Sequence, residues 1–134
     1  MLDLSLKGKR AVVTGASLGI GEAVVKMLSD HGASVTFCAR NKDAIKNLTD
    51  YKSESPDSKI KGLIADMSDA KSTENFIKET LEDGPIDILV NNVGASPSRN
   101  FLYMSDQDWQ DLHELNLLSA VRCTRSFLPH MREQ

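Results

Sequence analysis

Aromatic side chains make up only 5% of this sequence, so its core has to be aliphatic. No run comes near the roughly 20 apolar residues of a transmembrane helix, and no membrane span is expected. Basic clusters are missing too. With 16 Lys+Arg against 19 Asp+Glu and a formal net charge of −3, a nucleic-acid phosphate backbone is not an expected partner. The stretch Met1 to Arg10 holds no apolar segment followed by a small-residue cleavage site, so no secretory signal is expected. Cys38 and Cys123 lie far apart and outside any CxxC pair, which reads as two reduced, buried thiols of a cytoplasmic protein. His31, His113 and His130 lack ligand-like spacing, so no metal site is expected. What remains, 134 residues with 40% hydrophobic and 26% charged, suits one globular domain or part of one.

The apolar period changes repeatedly along the chain. Ala11-Val12-Val13 is a short continuous apolar run, the pattern of a strand buried on both faces. Ile20, Ala23, Val24, Met27 and Leu28 recur at helical spacing and stop before His31-Gly32. Val35–Ala39 is a second strand, and Ala44, Ile45 and Leu48 mark a second helix that ends in the polar Ser53–Ser58 loop. Ile60–Ala65 forms a third strand. Ser68 is the expected N-cap of a third helix through Ala70, Phe76, Ile77 and Leu81, broken at Gly84-Pro85. Ile86–Val90 is the fourth strand, Gly94–Met104 a loop, and Ser105 opens a long helical region through Trp109, Leu115, Val121 and Leu128, which Pro129 is expected to kink or end. The order βαβαβαβα predicts a parallel sheet with helices on both faces.

Thr14-Gly15-Ala16-Ser17-Leu18-Gly19-Ile20-Gly21 joins the first strand to the first helix. Glycines there permit unusual dihedrals and bring backbone N–H groups close to a pyrophosphate, with the helix N-terminus adding partial positive charge. A glycine-rich turn without a ligand is the plain alternative.

The spacing G-x-x-x-G-x-G resembles the short-chain dehydrogenase/reductase family, whose fingerprint is T-G-x-x-x-G-x-G. Asp66-Met67 after the third strand, Asn91-Asn92-Val93-Gly94 after the fourth (Val93 replacing the more usual Ala), and Asn116 ahead of Phe127-Leu128-Pro129 match that family at its intervals. The resemblance covers essentially the whole chain. It implies a Rossmann-type doubly wound parallel sheet, a three-layer α/β/α fold incomplete on its C-terminal side. It also implies that Thr14, Gly15, Ser17, Leu18, Gly19, Ile20 and Gly21 hold a dinucleotide. Asp66 and Met67 would lie at the adenine, and Asn92, Val93 and Gly94 would line the nicotinamide end. Asn116 would hold a water in a proton relay to a catalytic Lys. Each has a plainer reading: Asp66 caps the loop before Ser68, the Asn pair ends a strand, and Asn116 is a surface polar.

Cofactor choice turns on the end of the second strand, where an acid would bond a ribose 2′-OH and repel a 2′-phosphate. Here Ala39 is neutral, and Arg40 follows with Asn41 and Lys42. A guanidinium–phosphate contact contributes roughly 1.5–3 kcal/mol, so NADP(H) is expected ahead of NAD(H). Leu18 departs from the basic residue many NADP-preferring members carry before the middle glycine.

The family's proton donor is a Tyr in Y-x-x-x-K. Tyr51 and Tyr103 are each followed four residues later by a residue other than Lys, namely Ser55 and Gln107, so neither qualifies. The sequence therefore reads as the cofactor-binding part of an enzyme acting on a small carbonyl or alcohol. The loop Ala95–Met104, with Ser96 and Arg99, is the candidate substrate contact. A homo-oligomer, dimer or tetramer, is expected through the last helix. The segment by itself, with Leu117, Leu118 and Val121 uncovered and the fourth strand at an edge, is expected to be poorly soluble or oligomeric. A non-catalytic dinucleotide sensor and an interaction protein using the final helix are the other readings.

Overall fold

The structure, a computed structural model, describes residues 2–97 and 99–134; Met1 and Ser98, the latter inside the Ala95–Met104 loop, lie outside the described residues. The elements are β1 (Arg10–Val13), α1 (Gly19–Asp30), β2 (Ser34–Ala39), α2 (Lys42–Thr49), β3 (Ile60–Ile64), α3 (Ala70–Glu82), β4 (Ile88–Val90), α4 (Asp106–His113) and α5 (Ser119–Arg132). A single 3-10 turn (Phe101–Tyr103) precedes α4, and a π turn (Glu114–Leu118) joins α4 to α5.

All strand pairings are parallel, in the order β3-β2-β1-β4. The apolar runs pack as a two-sided sheet requires, because successive side chains point to opposite faces. Ala11, Val13, Val35 and Phe37 meet Val25 of α1 and Leu48 of α2 on one face. Val12 and Cys38 meet Phe76 and Ile77 of α3 and Cys123 and Phe127 of α5 on the other. The expected doubly wound α/β layering is therefore present. Among the described residues no helix is long and apolar enough to cross a membrane.

Local details differ from the sequence reading for identifiable reasons. In α1, Ile20 and Met27 are 76% and 65% exposed, and the buried stripe is Gly21, Val25 and Ser29. Gly21 sets that face by packing the first helical turn against the loops after β1 and β4. A Cβ there would lie 2.5 Å from Asn92 Nδ2 and 2.7 Å from the Gly15 carbonyl oxygen. The N-cap of α3 is Asp69, which accepts from Ser72 N, because Ser68 is turned back onto Asp66. The β4 ladder starts at Ile88 rather than Ile86, since the Arg10 amide is taken at 2.8 Å by the Asp87 carboxylate. Pro129 does not end α5, which runs on to Arg132. Ser105 opens α4 with a reciprocal capping box to Asp108. The Arg10 guanidinium, from the neighbouring strand, gathers the Thr80, Gly84 and Pro85 carbonyls at the end of α3, where helix carbonyls lack intrahelical partners.

Two outcomes follow from this packing. Gly62 lets α2 lie close on β3, since a Cβ there would come within 2.5 Å of Ile45 Cγ2 and 2.7 Å of Phe37 Cζ. Gly62→Ala should therefore cost about 1–3 kcal/mol through overpacking, read as a lower urea midpoint at unchanged slope. Burial, the largest cause for each, pushes the Cys38 thiol up to about 11 and that of Cys123 up to about 12. An unfolded thiol ionises near pH ~8.5, so above that the unfolded chain releases its protons first and stability falls toward pH ~11. Urea midpoints measured across that window should drop, and Cys38→Ala with Cys123→Ala should flatten the thiol part of the slope. A slope unaltered by the double substitution would refute the assignment.

Candidate functional site

Because every strand runs the same way, the carboxyl ends of β1, β2, β3 and β4 share one edge of the sheet. From β1 the chain proceeds to β2 and β3 on one side, then crosses to β4 on the other, so a crevice opens where the order reverses. A cleft of about 440 Å³ lies there. Gly15, Ser17, Leu18, Gly19, Ile20, Arg40, Asp66, Met67, Asn92, Val93 and Gly94 line it. A larger, more open hollow of about 540 Å³ runs along α4 past Gln107, Trp109 and Glu114 and holds none of the candidate site residues.

The turn after β1 is tied to the turn after β4. Thr14 Oγ1 accepts from Asn92 N at 3.1 Å and from Val93 N at 3.3 Å. Asn92 Nδ2 donates to the Gly15 carbonyl at 3.0 Å. Gly15 and Gly19 stand at φ +67° and +65°, in the left-handed region that favours glycine. Thr14 and Gly21 are buried and belong to this junction rather than to the cleft lining. Val93 packs against the turn, its Cγ2 2.9 Å from where a Gly15 Cβ would stand.

Helix capping separates α1 from its neighbours. Asn41, Asp69 and Ser105 each cap a helix with a side-chain oxygen, whereas Leu18 at the N-cap of α1 makes no such bond. The first amides of α1 thus reach the cleft without a side-chain acceptor, the arrangement that favours an anion. Asn41 Oδ1 is occupied by Asp43 N at 2.8 Å and Ala44 N at 3.1 Å; Asn41 lines the hollow beside the cleft with Ser17 and Leu18.

At the other end, Asp66 Oδ1 accepts from Ser68 Oγ at 2.6 Å and from Ser68 N at 3.0 Å. The Ser68 hydroxyl first, then its amide, hold the Asp66 carboxyl below the usual carboxylate range. Partial burial opposes them, and the Arg40 guanidinium adds a weaker pull in the same direction. The capping role foreseen as the plainer reading of Asp66 is thus present, engaging one of its two oxygens. Arg40 is exposed and makes no ion pair among the described residues.

Asn116 stands in the π turn with both ends of its amide on one residue. Oδ1 accepts from Ala95 N at 2.8 Å, and Nδ2 donates to the Ala95 carbonyl at 2.9 Å. Asn91 Nδ2 reaches Thr124 Oγ1 of α5 at 3.1 Å. Tyr51 OH donates to Asp30 at 2.9 Å, Tyr103 is 78% exposed, and neither lines the cleft. The sequence reading missed Cys38, Ala65 and Leu115 as lining residues, while Ala95, the first residue of the candidate substrate loop, does line the cleft. Small or apolar side chains carry no chemical signal; their position at strand ends and beside the Asn motifs is the one clue. Leu117, Val121 and Leu128 leave an exposed apolar stripe along the last helical region.

A family model described as short chain dehydrogenase matches residues 9–134. The uncharacterized oxidoreductase YvrD of Bacillus subtilis is 37% identical over 134 residues, which cover 97% of this chain and 49% of that protein. The 3-oxoacyl-(acyl-carrier-protein) reductase FabG of Salmonella typhimurium is 36% identical over 132 residues, covering 98% of this chain and 52% of the relative. Among solved structures, L-sorbose reductase from Gluconobacter frateurii, complexed with NADPH and L-sorbose, superposes with a TM-score of 0.91 at 29% identity, over 98% of this chain and 51% of that one. A 3-oxoacyl (acyl-carrier-protein) reductase from Agrobacterium tumefaciens with NADP bound gives 0.87 at 29% identity, over 96% and 50%. The chain spans about half the length of the relatives it matches. With its four parallel strands and glycine-rich turn, it belongs to the short-chain dehydrogenase/reductase family of oxidoreductases.

Proposed function

We propose that the whole gene product transfers hydride between NADP(H) and a small carbonyl or alcohol, and that residues 1–134 are its dinucleotide-binding part. The observation that carries the cofactor choice is the exposed Arg40 guanidinium beside the Asp66 carboxylate, with neutral Ala39 where an acid would favour NAD(H). The NADPH and NADP held by two structural relatives support the same choice. The residues present suit such a group: an uncapped helix start, a turn held open by glycine, and a basic side chain at one end of the cleft.

In this reading the amides of Gly15 to Gly21, with Ser17 and Leu18, hold the diphosphate, and Thr14 fixes the turn that presents them. Arg40 and the free amide group of Asn41 hold the 2′-phosphate. Asp66 meets the adenine through the oxygen that Ser68 leaves free, beside Met67. Asn92, Val93 and Gly94 shape the nicotinamide end. When bound, the nicotinamide supplies or accepts the hydride. Asn116 spends its amide on Ala95, so a water in the proton relay would be held by backbone groups of the π turn. The exposed stripe of Leu117, Val121 and Leu128 is the proposed surface of subunit pairing.

The test is a fluorescence titration of the whole gene product with NADPH and NADH. Arg40→Ala should raise the NADPH Kd about 10–100-fold, the scale of one lost charge-assisted contact, and leave NADH unchanged. An unchanged NADPH Kd would overturn the cofactor assignment. NADPH oxidation against a panel of ketones then separates an enzyme, which turns over at least one, from a nucleotide sensor, which binds and turns over none.

A further inference from the structure

We infer that Glu114 and Arg122 form a positioning pair that holds the π turn in register and, through it, Asn116. Arg122 Nη2 and Glu114 Oε2 form an ion pair at 2.8 Å, with the two side chains 19% and 41% exposed. These residues are eight apart in the sequence. In an unbroken α-helix, at about 100° and 1.5 Å per residue, they would stand about 80° apart around the axis and ~12 Å along it. The π turn Glu114–Leu118 absorbs one extra residue, so the spacing acts like seven. That brings the two side chains to within about 20° and ~10.5 Å, on one face two turns apart. The pair closes across the widened turn and would be pulled apart by a regular helix, so its energy accrues to one of the two forms.

The Arg122 side chain has little alternative. Its Nη1 is buried with no partner among the described residues, and Glu114 is its ion-pair partner there. Glu74 of α3 lines the same small hollow, but its ion pair among the described residues is with Lys71. Ser119 Oγ, bonded to the Leu115 carbonyl at 2.6 Å, braces the turn locally. The turn in turn sets the two-point contact between Asn116 and Ala95. A change of helical register would swing the Asn116 amide around the axis, away from the Gly94-Ala95 backbone, where Oδ1 already stands 3.1 Å from the place of a Gly94 Cβ. The clamp stands on geometry alone; only its catalytic consequence rests on the relay role proposed above for Asn116.

Hydrogen exchange at the Ala95 amide of the whole gene product reads the clamp directly. Glu114→Gln and Arg122→Met should each speed that exchange roughly two- to fivefold, the scale of a partly exposed ion pair, while the Val12 and Val13 amides of β1 keep their protection. The exchanged pair, Glu114→Arg with Arg122→Glu, should restore slow exchange at Ala95. Unchanged exchange at Ala95 in both single variants would overturn the proposal. So would loss of protection at Ala95 and β1 together with no recovery in the exchanged pair, which marks a merely structural role. The same variants separate the two readings: faster Ala95 exchange with a lower kcat at unchanged NADPH Kd supports both. Faster exchange at unaltered kcat leaves the clamp standing and removes the relay role of Asn116.

Discussion

The structure hangs on the closeness of two loops, the turn leaving β1 and the turn leaving β4. One hydroxyl, that of Thr14, accepts from consecutive backbone amides of the opposite loop, and the Asn92 side chain answers by donating to Gly15. These bonds join loops almost eighty residues apart in the sequence, so they form when β1 and β4 are already neighbours in the sheet. Gly21 makes the approach possible, because any side chain there meets the Asn92 amide and the Gly15 carbonyl. The face α1 buries and the floor of the cleft follow from this junction. In energetic terms, each bond contributes only about 0.5–1.5 kcal/mol, but the groups are half-buried and would be left unsatisfied if the loops parted.

That junction also explains what could be read from the sequence. The strands were legible because a parallel strand covered on both faces needs an unbroken apolar run, as in Ala11-Val12-Val13. The glycine turn and both Asn residues were legible because their spacing matches a known pattern. The buried face of α1 was not, since Ile20 and Met27 fit a helical period as well as Val25 does, and the choice is made by a glycine with no hydrophobic signal. Ser68 and Asp69 are equally good caps in isolation; the contest is decided by Asp66, which recruits Ser68. The π turn was invisible because Leu112, Leu115 and Leu118 continue the apparent helical spacing straight through it.

The π turn matters because it converts a helix, which is a poor place for an interior Asn, into a bracket. In a regular helix an Asn side chain competes with the helix's own backbone for hydrogen bonds. Widened by one residue, the helix presents the amide to the Ala95 backbone instead and closes the loop after β4 from its far side. The same loop is therefore held twice, by Thr14 on the sheet side and by Asn116 on the helix side. What lies between, Val93 and Gly94, is thus flanked by bonded contacts on both sides, although it carries no regular secondary structure.

In the proposed function, affinity and selectivity fall on separate elements. The uncapped start of α1 and the glycine turn would offer the same donors to either nicotinamide dinucleotide, since both carry the same diphosphate, and so would contribute binding without discrimination. In the proposed reading, discrimination comes from the end of β2, where Arg40 is exposed and unpaired among the described residues. An exposed guanidinium in water exerts a weak field at a distance, which is why Asp66 feels it less than the Ser68 hydroxyl. Against a phosphate in direct contact the balance changes, because two parallel N–H donors meet a doubly charged group at close range. In the proposed reading, the side chain that would contact the 2′-phosphate thus lies outside the Thr14–Asn92 junction. In that reading a change at Arg40 alters cofactor choice and leaves the bonds between Thr14, Gly15 and Asn92 untouched.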